Sequence, residues 1–229
     1  MADALGQSAP LGWDPSHCGE NIALDGAEAS HETSQWGSVL ATEWLSEGTH
    51  EIELLTQNVD YPSLFVGVVR RAYWEHASAG ARREDGESMR DSEHAICMHG
   101  DGRLFIKTAE KDWGLMRLVT GDRVVLTLDF DRGVVTFALS RTVRGKPKET
   151  VAEVPGLFTE ATVAVCFGGR DQCVAIGQWT RRASEGGAAP ARDPFAEATS
   201  EPVARLTLDE RDAERSNQDE MARVASTLQ

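Results

Sequence analysis

The stretch GDRVVLTLDFDRGVVTFAL, residues 121–139, decides the fold because it contains two alternating apolar runs joined by a turn signal. Apolar side chains recur at every second position in both runs, as they do along a half-buried strand. These positions are Leu126, Leu128, Phe130, Val135, Phe137 and Leu139. Between them, Asp131, Arg132 and Gly133 are typical of a turn closed by a glycine in the left-handed region. The stretch therefore predicts a β-hairpin whose apolar face must be covered by a second layer.

The rest of the chain contains further strand patterns. Residues 49–55 alternate, with Glu51 and Glu53 on the polar face, which predicts a half-buried antiparallel strand. Residues 64–69 are apolar on both faces and predict a central strand, in which Gly67 lets a neighbouring strand approach closely. Shorter patterns lie at residues 21–24, 38–41, 95–98, 104–107, 163–167 and 173–176. Short strands separated by glycine turns predict an all-β fold, an antiparallel β-sandwich of two packed sheets.

Composition divides the chain into an arm, a domain and a tail. Residues 1–12 are small and polar, which predicts a flexible N-terminal arm, and residues 13–180 contain all the predicted strands and no convincing long helix. Residues 181–205 have the Ala, Gly, Pro and Glu content of a linker. Residues 206–229 contain good helix formers with a thin apolar stripe. This pattern indicates a marginal or partner-induced helix rather than a helix docked on the sandwich.

Charge and cysteine content limit the partners and the compartment. The 229 residues carry a formal net charge of −14 at pH 7, which opposes sequence-independent binding to nucleic acid or to anionic membranes. No apolar run approaches the ~20 residues that cross a bilayer, and the N-terminal sequence lacks the features of a signal peptide. The four dispersed cysteines indicate reduced thiols. We therefore expect a protein of the cytoplasm, or of the nucleus, whose partner is another protein; its oligomeric state stays open.

Several segments, taken in order, resemble the motifs of SPRY domains. Residues 46–54, SEGTHEIEL, resemble a family strand with Gly, an aromatic residue or His, and then Glu-Val-Glu. Residues 65–68, FVGV, resemble the VGV strand of the family. Residues 121–137 resemble its central signature, in which GD is followed by LD, a glycine-containing turn and a final Phe. The resemblance covers residues 13–178 and implies a SPRY-like sandwich of the concanavalin-like jelly-roll type. It also implies a module that binds partner proteins through variable loops.

Candidate partner-binding residues lie in the loops at one edge of the predicted sandwich. Tyr73, Trp74 and His76 directly follow the predicted central strand, and Tyr and Trp are frequent interface anchors. In an extended segment neighbouring side chains point to opposite sides, so we expect one of the two aromatic residues to stay available. The alternative is that one or both only cap the sandwich edge. Residues 77–93 and 141–148 are predicted to be exposed loops that form the rim. The other candidates lie in these loops and in the turn after residue 167: Arg90, Arg141, Arg144, Gly168, Gly169 and Arg170.

No catalytic residue, cofactor or metal site is predicted from the sequence. The rival hypothesis rests on Glu51 and Glu53, because an E-x-E strand places two carboxylates on one face, as in some sandwich-fold glycosidases. Such a site also requires aromatic platforms for the sugar and an acid with a raised pKa. Alternating Glu residues are ordinary on the solvent side of an antiparallel strand. We therefore predict a non-enzymatic protein-interaction module with an adaptor role, and the alternative is a glycan-binding or glycan-hydrolysing protein.

Overall fold

Two antiparallel sheets of seven strands each form the described part of the chain. The computed structural model describes residues 11–59, 63–80 and 89–182, and no side chains are described at residues 76–80. The strands are β1 (Trp13–Cys18), β2 (Ile22–Asp25), β3 (Glu28–His31), β4 (Gly37–Ala41), β5 (Thr49–Gln57), β6 (Leu64–Val69), β7 (Ala95–His99), β8 (Arg103–Ile106), β9 (Ala109–Asp112), β10 (Arg123–Asp129), β11 (Val134–Val143), β12 (Lys146–Pro155), β13 (Thr162–Phe167) and β14 (Cys173–Arg182). An α-helix, α1 (Arg71–Gly80), and a 3-10 helix (Met89–Asp91) lie between β6 and β7.

The sheets pack face to face as a sandwich. Sheet I has the strand order β1-β4-β13-β6-β7-β8-β9, and sheet II has the order β12-β11-β10-β5-β14-β3-β2. The inward side chains of both sheets form one large apolar cluster. The predicted all-β sandwich is therefore confirmed, with a short α-helix added to it. Both sheets need the shared cluster, since neither could bury its apolar face alone.

The predicted hairpin is confirmed as β10 paired with β11. Leu126 lies opposite Phe137, and both side chains are fully buried. Gly133 has a φ of 65°, which places it in the left-handed region that the turn requires. Because β5 pairs with the other edge of β10 and β12 with the other edge of β11, the hairpin holds an interior position in sheet II.

The predicted central strand is confirmed as β6, the fourth of the seven strands in sheet I. All six of its residues are buried, as expected for a strand covered on both faces. A Cβ atom added at Gly67 would lie 2.2 Å from the carbonyl oxygen of Ile96 and 2.6 Å from the Cα of Cys97. Glycine at this position therefore permits the close approach of β7.

The prediction of a basic loop at residues 141–148 is wrong. β11 continues to Val143 and β12 begins at Lys146, so the connection is the two-residue turn Arg144-Gly145. Both turn residues have positive φ values, 50° and 78°, as in the type I′ turn that fits the twist of a hairpin. β12 was not predicted because its first four residues, Lys-Pro-Lys-Glu, are mostly charged and exposed. Its alternation of buried and exposed residues starts only at Thr150.

The predictions for residues 71–93 need a second correction. Residues 71–80 form α1 rather than an extended segment followed by a loop, and residues 89–91 form a 3-10 helix. Residues 81–88, also predicted as loop, lie outside the described residues. Met89 is fully buried, so the 3-10 helix is attached to the domain. Both helices cover the outer face of sheet I, where a second apolar cluster lies between sheet and helices.

The described domain extends from Leu11 to the end of β14. β14 runs to Arg182, and Leu11, within the predicted arm, is buried in the main cluster. Residues 1–10 of the predicted arm, residues 183–205 of the predicted linker and the predicted tail helix at 206–229 lie outside the described residues. Within the described ranges no helix is long and apolar enough to cross a membrane.

Candidate protein-binding surface

The helix α1 separates the roles of the two adjacent aromatic residues. Tyr73 is only 2% exposed, and its hydroxyl lies 3.0 Å from the Ser38 Oγ of β4 in a hydrogen bond. Trp74 is half-buried and packs against the edge of the outer cluster. The helix produces this difference because adjacent side chains on it are about 100° apart, so one faces the sheet while the next lies at the boundary with solvent. Tyr73 therefore belongs to the packing and Trp74 to the surface.

Three half-buried tryptophans lie around this helix. Trp36 precedes β4, Trp44 follows it, and Trp74 lies on α1. All three pack against the same outer cluster without being enclosed by it. We call Trp36, Trp44 and Trp74, together with His17, the tryptophan surface. An indole that is anchored on one side and wet on the other is a typical binding anchor, because it offers a large area with little loss of entropy on binding.

His17 connects two of the tryptophans. Its ring makes edge contacts with Trp74, at 5.2 Å between centroids, and with Trp44, at 6.5 Å. Its Nδ1 lies 2.6 Å from the Asp14 Oδ2, which orients the ring. Burial alone would raise the pKa of Asp14, but hydrogen bonds from Ser16 and His17 outweigh it and hold that pKa below its usual value. Asp14 therefore stays ionised and accepts a hydrogen bond from the Nδ1–H of His17. The Nε2 of His17 is then the ring's remaining polar atom.

Trp36 lies between two of the predicted binding residues, Gly168 and Arg90. A Cβ atom at Gly168 would lie 2.5 Å from the Trp36 ring, so glycine is required for the turn to pass under the indole. Trp36 contacts Phe65, Phe65 contacts Phe105, and the guanidinium of Arg90 lies 5.6 Å from the Phe105 ring centre. A chain of aromatic contacts thus connects Arg90 of the 3-10 helix with Gly168.

Hydrogen bonds fix the turn between β13 and β14. The N–H of Gly168 donates to the Ser63 carbonyl at 2.7 Å, and the N–H of Gly169 donates to the Gln172 Oε1 at 2.9 Å. The Gly169 carbonyl accepts a bond from the Nδ1 of His31 at 2.9 Å. Arg170 projects from this ordered turn with its side chain 71% exposed. The turn is therefore a rigid rim beside Trp36.

The Trp44 end carries a cation above its indole. The guanidinium of Arg71 lies 4.5 Å from the Trp44 ring centre, within the range of a cation–π contact. The same guanidinium donates to both carboxylate oxygens of Glu160, at 2.8 and 3.2 Å. The hydrogen bond from Arg71 lowers the pKa of Glu160 below its usual value. This pair fixes one border of the tryptophan surface.

Two predicted site residues lie elsewhere. Arg141 is on β11 of sheet II, where it bonds to the buried carboxylate of Asp122 at 2.9 Å, and Arg144 is in the β11–β12 turn. The backbone of His76 belongs to α1, and its side chain is outside the description. The structure therefore brings Trp74, Arg90, Gly168, Gly169 and Arg170 to the helix-covered side and separates the two hairpin arginines from them.

The rival glycan site lacks the surroundings that it requires. Glu53 is ion-paired with Arg123 and accepts a bond from the N–H of Gln178 at 3.3 Å, so its carboxylate holds strands together. Glu51 is exposed and lies opposite Thr127 and Thr180. The tryptophan surface is on the other sheet. In the regular part of the described pairing, the partners of the two glutamates, including Val125 opposite Glu53, are non-aromatic.

Buried thiols lie beneath the surface. The four cysteines are free, and Cys97 and Cys166 belong to the outer cluster. Burial raises the pKa of Cys166 to about 11 and also raises the pKa of Cys97. Both thiols therefore stay protonated at neutral pH and pack as small apolar groups. Within the described ranges, no group of three or more His, Cys, Asp or Glu side chains is arranged to hold a metal ion.

No family model and no curated protein matches this sequence. Solved structures do match. The SPRY domain of human HERC1 is 18% identical, with a TM-score of 0.55 over 72% of this chain and 96% of that chain. The PSpry domain of TRIM65 is 14% identical, with a TM-score of 0.51 over 73% and 92% of the two chains. This chain has a SPRY-like fold. Stonustoxin contains a similar region, at 16% identity and a TM-score of 0.53, over 73% of this chain and 27% of the toxin chain.

The motifs that resemble SPRY domains have structural roles in this SPRY-like fold. Gly121 has a φ of 88°, and its N–H donates to the Thr56 carbonyl at 2.8 Å. Asp122 is 1% exposed and accepts the N–H of Val119 at 2.8 Å as well as the Arg141 bond. Burial raises the pKa of Asp122, and these two donors oppose that effect. The GD pair thus closes the turn that leads into β10, which explains its place in the signature.

Sequence reasoning missed three members of the tryptophan surface: His17, Trp36 and Trp44. They lie singly at strand ends or on an edge strand, so no periodic pattern marks them. A usable signal was present in the tryptophan content. Of the six tryptophans in the chain, Trp36 and Trp44 fall outside any predicted strand, where a large apolar side chain has no sheet face to pack on.

Proposed function

We propose that this SPRY-like domain is a protein-interaction module that binds a short peptide or surface segment of a partner through the tryptophan surface. The observation that supports it most strongly is the set of three half-buried tryptophans on one cluster. Two other tryptophans, Trp13 and Trp113, are each 5% exposed and belong to the main core. The chain can therefore bury indoles completely, and it leaves three of them partly open on one side of the molecule.

Trp74 is the central anchor in this proposal. It adjoins His17, and the neighbouring Tyr73 is held by Ser38, so the indole is presented from a helix with a fixed position. Anchors of this kind lose little freedom on binding and account for most of the affinity of an interface. The Nε2 of His17 supplies a polar contact beside the indole.

The rim of the surface comes from the loops at its borders. The exposed Arg170 and the rigid Gly168-Gly169 turn lie next to Trp36, and Arg90 lies above Phe105. The residues in the rim are polar or lack side chains, which leaves room for the main chain of a bound peptide and for hydrogen bonds to it. A rim of this kind adjusts specificity around anchored indoles. In this proposal the module acts without a catalytic step, as an adaptor whose residues 183–229 engage a further component.

Selection from a displayed library of random peptides tests the proposal. The full chain is used as bait, and each enriched peptide is then titrated against the full chain and against Trp74→Ala. We expect enriched peptides that lose affinity for Trp74→Ala by roughly thirtyfold, the effect of one anchor worth ~2 kcal/mol. Trp179→Ala is the matched control, because Trp179 is also half-buried but stacks on His50 in sheet II.

The outcomes separate this function from its rivals. Peptides that bind Trp74→Ala as well as the wild type would place the site elsewhere. An array of immobilised glycans provides the contrasting probe: binding there that depends on Glu51 and Glu53, together with failure of the peptide selection, would establish the glycan alternative instead.

A further inference from the structure

A second exposed surface is positively charged and lies on the β11–β12 hairpin. β10 begins at Arg123, opposite Ser140, so residues 141–148 of the hairpin pair only with each other. The Arg144-Gly145 turn closes this two-stranded ribbon in a type I′ geometry. The end of the hairpin therefore projects beyond the sheet as a defined structure rather than as a loose loop.

Four cations gather at this end of the hairpin. Arg144 and Lys146 are exposed. Lys148, two residues further along β12, is half-buried. The backbone of the exposed Arg117 lies near the base of this ribbon, where Arg141 pairs with Lys148, since the guanidinium of Arg141 donates to the Arg117 carbonyl. We call Arg117, Arg144, Lys146 and Lys148 the basic tip. In the described ranges none of the four forms an ion pair with a carboxylate.

This arrangement contrasts with the rest of an acidic chain that has 37 Asp and Glu residues against 23 Lys and Arg residues. Most described arginines pair with a carboxylate within 4.0 Å: Arg70, Arg71, Arg90, Arg103, Arg123, Arg132, Arg141, Arg170 and Arg181. The register places Lys148 directly opposite Arg141, and like charges in that position destabilise a sheet. The nearby carboxylate of Asp122 is already occupied by Arg141. The tip therefore carries positive charge that the described residues do not neutralise.

We propose that the basic tip binds an acidic segment of a partner protein, a run of Asp and Glu residues. Arg144 to Lys148 spans about 13 Å of ribbon at ~3.3 Å per residue, which matches a few successive carboxylates rather than a long nucleic-acid backbone. The net charge of −14 repels an extended polyanion but leaves a local contact attractive. This site goes beyond the proposed function, because it lies on sheet II and involves no member of the tryptophan surface.

The test measures binding of a fluorescent hexaglutamate peptide to the full chain by polarisation at low ionic strength. The variant Arg144→Gln/Lys146→Gln removes two exposed charges without removing an ion pair among the described residues. We expect its affinity for the peptide to fall by at least about tenfold, and the wild-type affinity to fall steeply when salt is raised to ~0.5 M. The variant Lys111→Gln/Arg182→Gln is the matched control, since it makes the same change in net charge at two other exposed cations for which no ion pair is seen in the described part of the chain.

Three results would overturn the proposal: no binding of hexaglutamate by the full chain, an equal loss in both double variants, or tighter binding of a single-stranded DNA of equal charge. Melting temperatures of both variants within error of the wild type show that the loss is not unfolding. Trp74→Ala should bind hexaglutamate as the wild type does. The experiments can therefore reject peptide binding at the tryptophan surface and acidic-segment binding at the basic tip independently of each other.

Discussion

The outer faces of the two sheets differ in what covers them. The outer face of sheet II is open to solvent and combines exposed apolar side chains, Leu55 and Val151, with cross-strand ion pairs such as Arg123 with Glu53. The outer face of sheet I carries a second apolar cluster beneath α1 and the 3-10 helix. That cover is incomplete, and three indoles at its border stay half-buried. A helix layer thus leaves large apolar side chains partly open where it ends, and under the proposed function these side chains form the binding surface.

The largest expected effect comes from the core that both sheets share. Phe137→Ala removes a fully buried ring opposite Leu126 and should lower the free energy of unfolding by ~3–5 kcal/mol. Thermal and urea denaturation measure the loss. Thr136→Ala, one position away and half-exposed, is the control that should change stability little. An unchanged midpoint for Phe137→Ala would mean that the two faces of the hairpin are reversed.

A smaller loss is expected from the backbone contact inside sheet I. Gly67→Ala places a Cβ atom 2.2 Å from the Ile96 carbonyl oxygen, and backbone on a central strand has little room to shift. We expect a cost of ~1–3 kcal/mol or more, measured by denaturation. Gly12→Ala is the matched control, because a Cβ atom there meets nothing within 4 Å. Equal stability of the two variants would show that β6 and β7 separate easily.

The sequence predicts the two sheets equally well and misses two strands in each, β1 and β9 in sheet I and β3 and β12 in sheet II. Alternation identified β5, β10 and β11, because a strand with one dry and one wet face leaves a period of two in the residues. β9 could not be found this way, since all four of its residues are exposed and their polarity carries no period. β12 was hidden by its charged start, and its Arg-Gly turn lacks the usual asparagine or aspartate signal.

The helix layer was harder to predict than the strands beneath it. α1 has no acidic residue in its first turn, and Arg71-Ala72-Tyr73-Trp74 reads equally well as an aromatic loop. Tyr73 is buried and Trp74 stays half-buried, but both pack on the same cluster, so the prediction that they point to opposite sides of an extended backbone was wrong. The sequence gives no sign that Trp36 and Trp44 lie near Trp74, because only the packing of α1 beside β4 brings the three residues to one cluster.

His50, near the start of the central strand β5, provides a pH-dependent test in sheet II. It is 2% exposed, its Nε2 donates to the Glu47 carbonyl at 2.9 Å, and its Nδ1 accepts the indole N–H of Trp179 at 3.3 Å. Burial lowers the pKa of His50 below the usual 6.5, and the Glu47 carbonyl opposes this only in part. Below about pH 6.5 the unfolded state therefore binds a proton that the folded state resists, so stability is complete above that pH and falls as pH drops.

Melting curves from neutral pH to pH 5 measure this dependence, with Trp179 fluorescence as the local probe. His50→Gln should remove the part of the acid-induced fall that belongs to this residue. A His50→Gln curve parallel to the wild type across the whole range would show that His50 titrates normally.

The smallest effect is expected on the solvated face of sheet II. Glu51→Gln changes an exposed carboxylate and should alter the free energy of unfolding by no more than about 0.5 kcal/mol. Peptides selected on the full chain should bind this variant with unchanged affinity. A loss of binding without a loss of stability would move the functional surface from sheet I to sheet II.

The most direct measurement compares the adjacent residues Tyr73 and Trp74 in one experiment. Each is changed to Ala, and the melting temperature and the affinity for a selected peptide are measured on both variants. Trp74→Ala should bind roughly thirtyfold more weakly with a melting temperature close to that of the wild type, whereas Tyr73→Ala should lower the melting temperature by several degrees. Equal affinity of Trp74→Ala and the wild type, or a fall in stability as large as that of Tyr73→Ala, would contradict a binding role for the half-buried indole.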